Sequence, residues 1–179
     1  MRRRRLLQSL ALAAGRDPGE GLPDGKSGRP PVRVPTREEA LAAGRLILVA
    51  EDNEFNQQVV LRQLQLLGHA ADLASDGEQA WSLWQQADYA LLLTDLHMPR
   101  MDGYGLTEAI RADTARARKP ILAITANALR GEAARTRAAG MDEYLTKPIQ
   151  LAALRAALDR WLPLPAVRPE PVAAAAPAV

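Results

Sequence analysis

Between Leu46 and Leu162 the chain alternates two kinds of pattern. Leu46–Ala50 (LILVA), Ala90–Thr94 (ALLLT) and Pro120–Ile124 (PILAI) are short continuous apolar runs, which predict strands buried on both faces. Ala70–Ala74 and Glu143–Thr146 are weaker and predict short strands. In between, apolar residues recur every three or four positions. Val60, Leu64 and Leu67 predict a first helix, with Asn53 placed to cap it and Gly68 to end it. Asp76–Ala87 predicts a second, with Ala80, Leu83 and Trp84 inward and Trp81 read as a further packing residue. Gly103–Ala112 predicts a third, and Leu129–Ala139 a fourth, stopped by Gly140. Leu151, Leu154, Leu158 and Trp161 form the stripe of a fifth. Leu61 and Leu66 fall off the inward stripe of the first helix and are expected to offer an apolar patch to a partner.

Five strand–helix units with continuous apolar strands predict an α/β fold: a five-stranded parallel sheet, doubly wound, with helices on both faces. Sheets of this kind bind ligands at the carboxyl ends of their strands.

Composition sets the boundaries. Residues 15–35 hold five Gly and five Pro, and residues 163–179 hold five Pro and six Ala without a periodic apolar face. Both read as linkers, so the expected organisation is a basic N-terminal segment and linker over 1–45, a compact domain over 46–162 and a Pro/Ala-rich tail over 163–179. Met1–Arg5 is basic and Leu6–Ala14 mostly apolar, as in a short secretory signal. Gln8 and Ser9 interrupt that run and no cleavage pattern follows, so a linker helix with a basic start is the preferred reading.

Charge is uneven. Ten Lys/Arg against five Asp/Glu give +5 over residues 1–45, whereas twelve against fifteen give −3 over 46–162. The basic balance therefore belongs to the N-terminal segment, and no nucleic-acid binding is expected of this chain. No apolar run is long enough to span a membrane, so no membrane span is expected. With no cysteine and only His69 and His97 as imidazoles, thiolate zinc sites, iron–sulfur clusters and histidine-rich metal sites are excluded.

The polar residues that remain fall at strand ends. Glu51 and Asp52 follow the first strand, Asp95 the third, Thr125 the fourth and Lys147 the fifth. Three carboxylates on one rim repel unless a cation joins them, and all-oxygen ligation suits Mg²⁺. A lysine and a hydroxyl opposite could surround a phosphoryl group, and an aspartate can itself accept one. No Walker-type glycine loop is present, so the phosphoryl donor need not be a nucleotide.

Four segments, ILVAEDNEFNQ, LLLTDLHMPRMDGYGL, ILAITAN and YLTKPI, stand in this order, each closing a strand. Together they resemble receiver domains of bacterial two-component response regulators, and the AEDN start with Asn53 and Asn56 resembles receivers of hybrid sensor histidine kinases. The resemblance covers about 46–162 and implies a flavodoxin-like sheet of strand order 2-1-3-4-5. It implies that Asp95 accepts a phosphoryl group from a phosphohistidine. Asp52 would ligate Mg²⁺, Glu51 would hold it through water, and the backbone carbonyl of His97 would be a further ligand. Thr125 and Lys147 would bind phosphoryl oxygens, Tyr144 would be the aromatic that swings inward in response, and Lys147–Pro148 would be a cis peptide. Met98, Pro99 and Gly103 would form the turn after the aspartate, and His97 and Asn127 would tune phosphoryl lifetime. The implied partners are a histidine kinase, a histidine phosphotransfer domain or both. A phosphorylation-dependent dimer stays open, and the implied location is the cytoplasm.

Plainer roles compete with several of these. An acidic pair after a strand can be a solvated helix N-terminus. Thr125 can be a strand-end hydroxyl, Tyr144 a packing residue and His97 a surface turn residue, while Asn53 and Asn56 can simply cap and brace the first helix. Three functions follow. The first is a phosphorelay intermediate of a hybrid sensor kinase, favoured by the two linkers. The second is a free-standing regulator acting by docking, with only self-dephosphorylation as activity. The third is an aspartyl-phosphate phosphatase, disfavoured because Leu96 and His97 stand where an acidic general acid is needed.

Overall fold

The computed structural model describes residues 33–126 and 130–163. The basic start, most of both expected linkers and Asn127 lie outside the described residues.

Eleven elements follow in chain order: α1 (Arg37–Ala42), β1 (Ile47–Ala50), α2 (Glu54–Leu66), β2 (Ala71–Ala74), α3 (Gly77–Gln86), β3 (Leu91–Asp95), α4 (Gly103–Ala112), β4 (Ile121–Thr125), α5 (Arg130–Ala138), β5 (Glu143–Thr146) and α6 (Leu151–Trp161). All five strands pair in parallel, in the order β2-β1-β3-β4-β5. That is the expected doubly wound sheet.

Alternation along the strands divides the core between the two faces. Ile47 and Val49 of β1 join Val60 and Leu64 of α2 and Leu154 and Leu158 of α6. Leu48 and Ala50 join Ala80 and Trp84 of α3 and Leu106 and Ile110 of α4 on the other face. β1, β3 and β4 are buried throughout, which is why they read as unbroken apolar runs. Asn53 caps α2 as expected, accepting from the Asn56 N–H, whereas Asp76, expected as the first residue of the second helix, caps it instead, accepting from the Gln79 N–H.

Two further details differ from the pattern. Helix α1 lies before the first predicted element, capped by a Thr36–Glu39 capping box. It buries Ala40 in the core on the α3 and α4 face of the sheet, and Arg37 donates to Asp72, which also accepts from the Tyr89 hydroxyl at 2.6 Å. Six residues are too few to show a helical period, so the pattern passed over it. Leu151, placed on the α6 stripe, is instead exposed, because the helix begins there and its inward face starts at Leu154.

Candidate functional site

The carboxyl end of β1 passes directly into the first turn of α2, and this corner holds Glu51 from three directions. Glu51 is fully buried. The Asn56 amide donates to its Oε1 at 2.9 Å, and the Gln57 amide donates to its backbone carbonyl at 2.6 Å. From β5, Lys147 Nζ stands 3.2 Å from Oε1 and 2.9 Å from Oε2. Oε2 is buried and receives no aligned hydrogen bond.

Asp95, at the end of the central strand β3, is 6% exposed. Lys147 donates to its Oδ2 at 2.5 Å and the His97 backbone N–H to its Oδ1 at 3.1 Å. The turn beyond it is fitted closely. A Cβ on Gly103 would stand 2.3 Å from the Asp95 carbonyl oxygen, so only glycine lets α4 start there. Arg100, at φ 65°, ion-pairs with buried Asp76, and the Gly77 N–H donates to the Met101 carbonyl. These contacts tie the loop after Asp95 to the start of α3.

Burial opposes the charge on Lys147, but hydrogen bonds to Asp95 and Glu51 outweigh it and raise its pKa above the ordinary lysine value. The lysine is thus a fixed cation between two buried carboxylates. Its backbone N–H donates to the Thr125 carbonyl at 2.7 Å, which binds the ends of β4 and β5 together, and the Lys147–Pro148 peptide is cis. Thr125 itself is buried. Tyr144, paired in register with Ala123, is half-buried and packs against the core on the α3 and α4 side. Asp52 is exposed beside Glu51. The structure thus brings Glu51, Asp52, Asp95, Thr125 and Lys147 to one edge of the sheet. The His97 side chain is 71% exposed, with Nε2 3.7 Å from the Glu132 carboxylate of α5.

Carboxylate oxygens of Glu51, Asp52 and Asp95 lie within 4.8 Å of one another. Three acidic groups so close, all offering oxygen, fit a hard divalent cation.

Two residues that hold the site escaped the sequence reading. Gln57 was passed over, although a polar residue on the stripe of Val60 and Leu64 was a signal that something inward needed a donor. Arg100 carried no local signal, because Asp76 reaches it only through the fold. The apolar surface of α2 is also broader than expected: Phe55 is 76% exposed, Leu66 49% and Val59 37%, whereas Leu61 is half-buried.

Fold and site together define a doubly wound α/β domain with an acidic cleft, crossed by one lysine, at the carboxyl edge of its sheet. Residues 47–159 match the response regulator receiver domain, and the chain belongs to that family. It is 40% identical over 139 residues to the virulence sensor protein BvgS of Bordetella bronchiseptica, covering 72% of this chain and 11% of BvgS. Among solved structures it is similar to the receiver domain of a sensor histidine kinase from Pseudomonas aeruginosa, which has magnesium coordinated in its active-site cleft. The identity is 42% and the TM-score 0.61, covering 65% of this chain and 95% of that one. It is also similar to a Saccharomyces cerevisiae response-regulator receiver domain co-crystallised with a histidine phosphotransfer protein. There the identity is 27% and the TM-score 0.60, covering 65% of this chain and 87% of that one. The chain therefore spans only about a tenth of the length of BvgS. Among the described residues no helix is long and apolar enough to cross a membrane.

Proposed function

We propose that this domain, set by the two linkers at 46–162, is the phosphoacceptor of a phosphorelay in a hybrid sensor kinase, with Asp95 as the acceptor. The observation that carries the reading is the Lys147 ammonium held between Asp95 and Glu51 on the carboxyl edge of a parallel sheet. An Asp95 carboxylate oxygen bonds to phosphorus as the bond from phosphorus to the donor histidine nitrogen breaks. Lys147, already protonated and aimed at Asp95, supplies positive charge to the oxygens of the transferring group. Thr125 supplies a hydroxyl to the same oxygens, and its movement opens room for Tyr144 to turn inward. His97 and Asn127 tune the lifetime of the acyl phosphate. Glu51, Asp52, Asp95 and the His97 carbonyl would hold Mg²⁺, which when bound neutralises the carboxylates and the developing phosphoryl charge.

The relay role rests on the relatives. BvgS is a sensor protein of which a chain like this one is a small part. The yeast receiver shows that a domain of this kind can meet a histidine phosphotransfer protein. On this chain the exposed Phe55 and Val59 in the first turns of α2, beside the site, with Leu66 further along the same helix, suit such a partner. The cytoplasm is the compartment where that exchange would take place.

The test is intact mass after incubation with acetyl phosphate and Mg²⁺. The wild type gains one phosphoryl group and Asp95→Asn gains none; equal gain in the variant overturns the assignment. The phosphorylated protein, mixed with candidate histidine phosphotransfer domains, should hand the label on. Release only as inorganic phosphate would favour the free-standing regulator.

A further inference from the structure

We propose that Asn56 is a positioning residue of the metal site: its side-chain amide holds one oxygen of Glu51 and thereby fixes the orientation of that carboxylate toward the cation. This rests on the proposed function, because the cation is the one that reading requires.

Glu51 sits with its whole side chain inside the protein, where a carboxylate free to rotate could offer either oxygen or turn wholly toward Lys147. The structure removes that freedom. Oε1 accepts from Asn56 at 2.9 Å and from Lys147 at 3.2 Å. Oε2 is equally buried; the Lys147 ammonium stands 2.9 Å from it as an ion-pair partner, and no amide reaches it. The two oxygens are therefore inequivalent: Lys147 reaches both, but Asn56 holds Oε1 alone, and this fixes the plane of the carboxylate beside Asp52 and Asp95.

Asn56 can do this because it is itself fixed. Its backbone N–H is capped by the Asn53 side chain at 3.1 Å, and the next residue, Gln57, grips the Glu51 backbone carbonyl at 2.6 Å. The first turn of α2 is thus a clamp on a single acidic residue, made by amide side chains that carry no charge. A second ammonium at position 56 would add to the Lys147 charge beside Glu51 and oppose a cation; an amide orients the carboxylate without adding charge. Groups that orient a metal ligand in this way change affinity about 10- to 100-fold when removed.

The experiment titrates wild-type protein, Asn56→Ala and Asn56→Ser with Mg²⁺ alone, following amide resonances, and records thermal melts of each without the ion. The expected result is an Mg²⁺ affinity at least about 10-fold weaker in Asn56→Ala, measured at a temperature where the melts show the variant fully folded. The wild-type Asn56 side-chain amide signals should shift on titration with the same midpoint as the backbone signals. A purely structural role would lower the melting temperature of both variants and leave the affinity unchanged, which overturns the inference. If Asn56→Ala does not fold, Asn56→Ser, smaller in its change, carries the same comparison. If wild type binds no Mg²⁺, the metal reading fails and this inference with it. Binding by wild type and equal binding by the variants overturns this inference alone.

Discussion

The two sides of the site edge are built differently. On the β1–α2 side, Asn53, Asn56, Gln57 and Glu51 form a closed set of hydrogen bonds within seven residues of sequence, over a helix whose Val60 and Leu64 are buried in the core. On the β4–α5 side, Thr136 alone is buried among residues 132–138 of α5. That helix is held at its surface by His97 near Glu132 and by the Arg135 guanidinium 4.3 Å above the Tyr104 ring. Exposed ion pairs and cation–π contacts are worth about 1 kcal/mol or less each. The carboxylate side is therefore preorganised, whereas α5 can shift at low cost. The proposed function would use both: rigid ligands for the incoming group, and a neighbouring element whose position that group could change.

The largest expected effect comes from breaking the segment that joins the two sides. Gly103→Ala puts a Cβ against the Asp95 carbonyl and the Leu96 Cα, both backbone, so neither can yield as a side-chain tip would. A loss of about 2–3 kcal/mol is expected in urea denaturation, together with loss of phosphoryl labelling. Labelling and stability like the wild type would show that the loop after Asp95 is not rigidly fitted.

A smaller effect tests whether the tight side has a weak point at its far end. His69, 4% exposed, follows α2 at the opposite end of the sheet from the site. Burial first, then the nearby Arg45 charge, lower its pKa to about 4, against a partial opposing pull from Asp159. Its folded pKa lies below the unfolded value, so the unfolded chain binds the proton more readily between about pH 6.5 and 4. Stability is complete above that window and falls as pH drops through it. Unfolding free energies from urea denaturation at pH 7 and 4.5 should differ by roughly 2 kcal/mol more in wild type than in His69→Gln. An identical pH dependence in the variant would remove His69 as the cause.

The smallest effect sharpens the contrast itself. In native-state hydrogen exchange, α5 amides should open at lower free energy than those of α2. Arg135→Ala should lower α5 protection by about 0.5–1 kcal/mol and leave α2 unchanged. Equal protection of the two helices in the wild type would erase the distinction.

Why one side was more legible than the other follows from range. The clamp on Glu51 lies within one strand–helix corner, so Asn53, Asn56 and the acidic pair stood close together in the sequence and could be suspected as a unit. What Asn56 holds was not legible, because an asparagine three residues into a helix fits capping equally well. The contacts of α5 join residues 31–35 positions apart, and no local pattern announces His97 with Glu132 or Tyr104 with Arg135.

By itself the sequence determined the five strands, the helices with a repeating apolar stripe, and the strand ends that carry acid, hydroxyl and ammonium. These depend on burial on both faces and on side-chain period, which are local properties of the chain. Only the tertiary structure decided that short α1 packs on the core and that Leu151 stays outside. Only it decided that Arg100 answers Asp76, and that Lys147 spans Asp95 and Glu51 across 52 and 96 residues of chain. Those outcomes depend on which strand ends lie side by side, and in a parallel sheet the crossover order brings together groups that the chain keeps far apart.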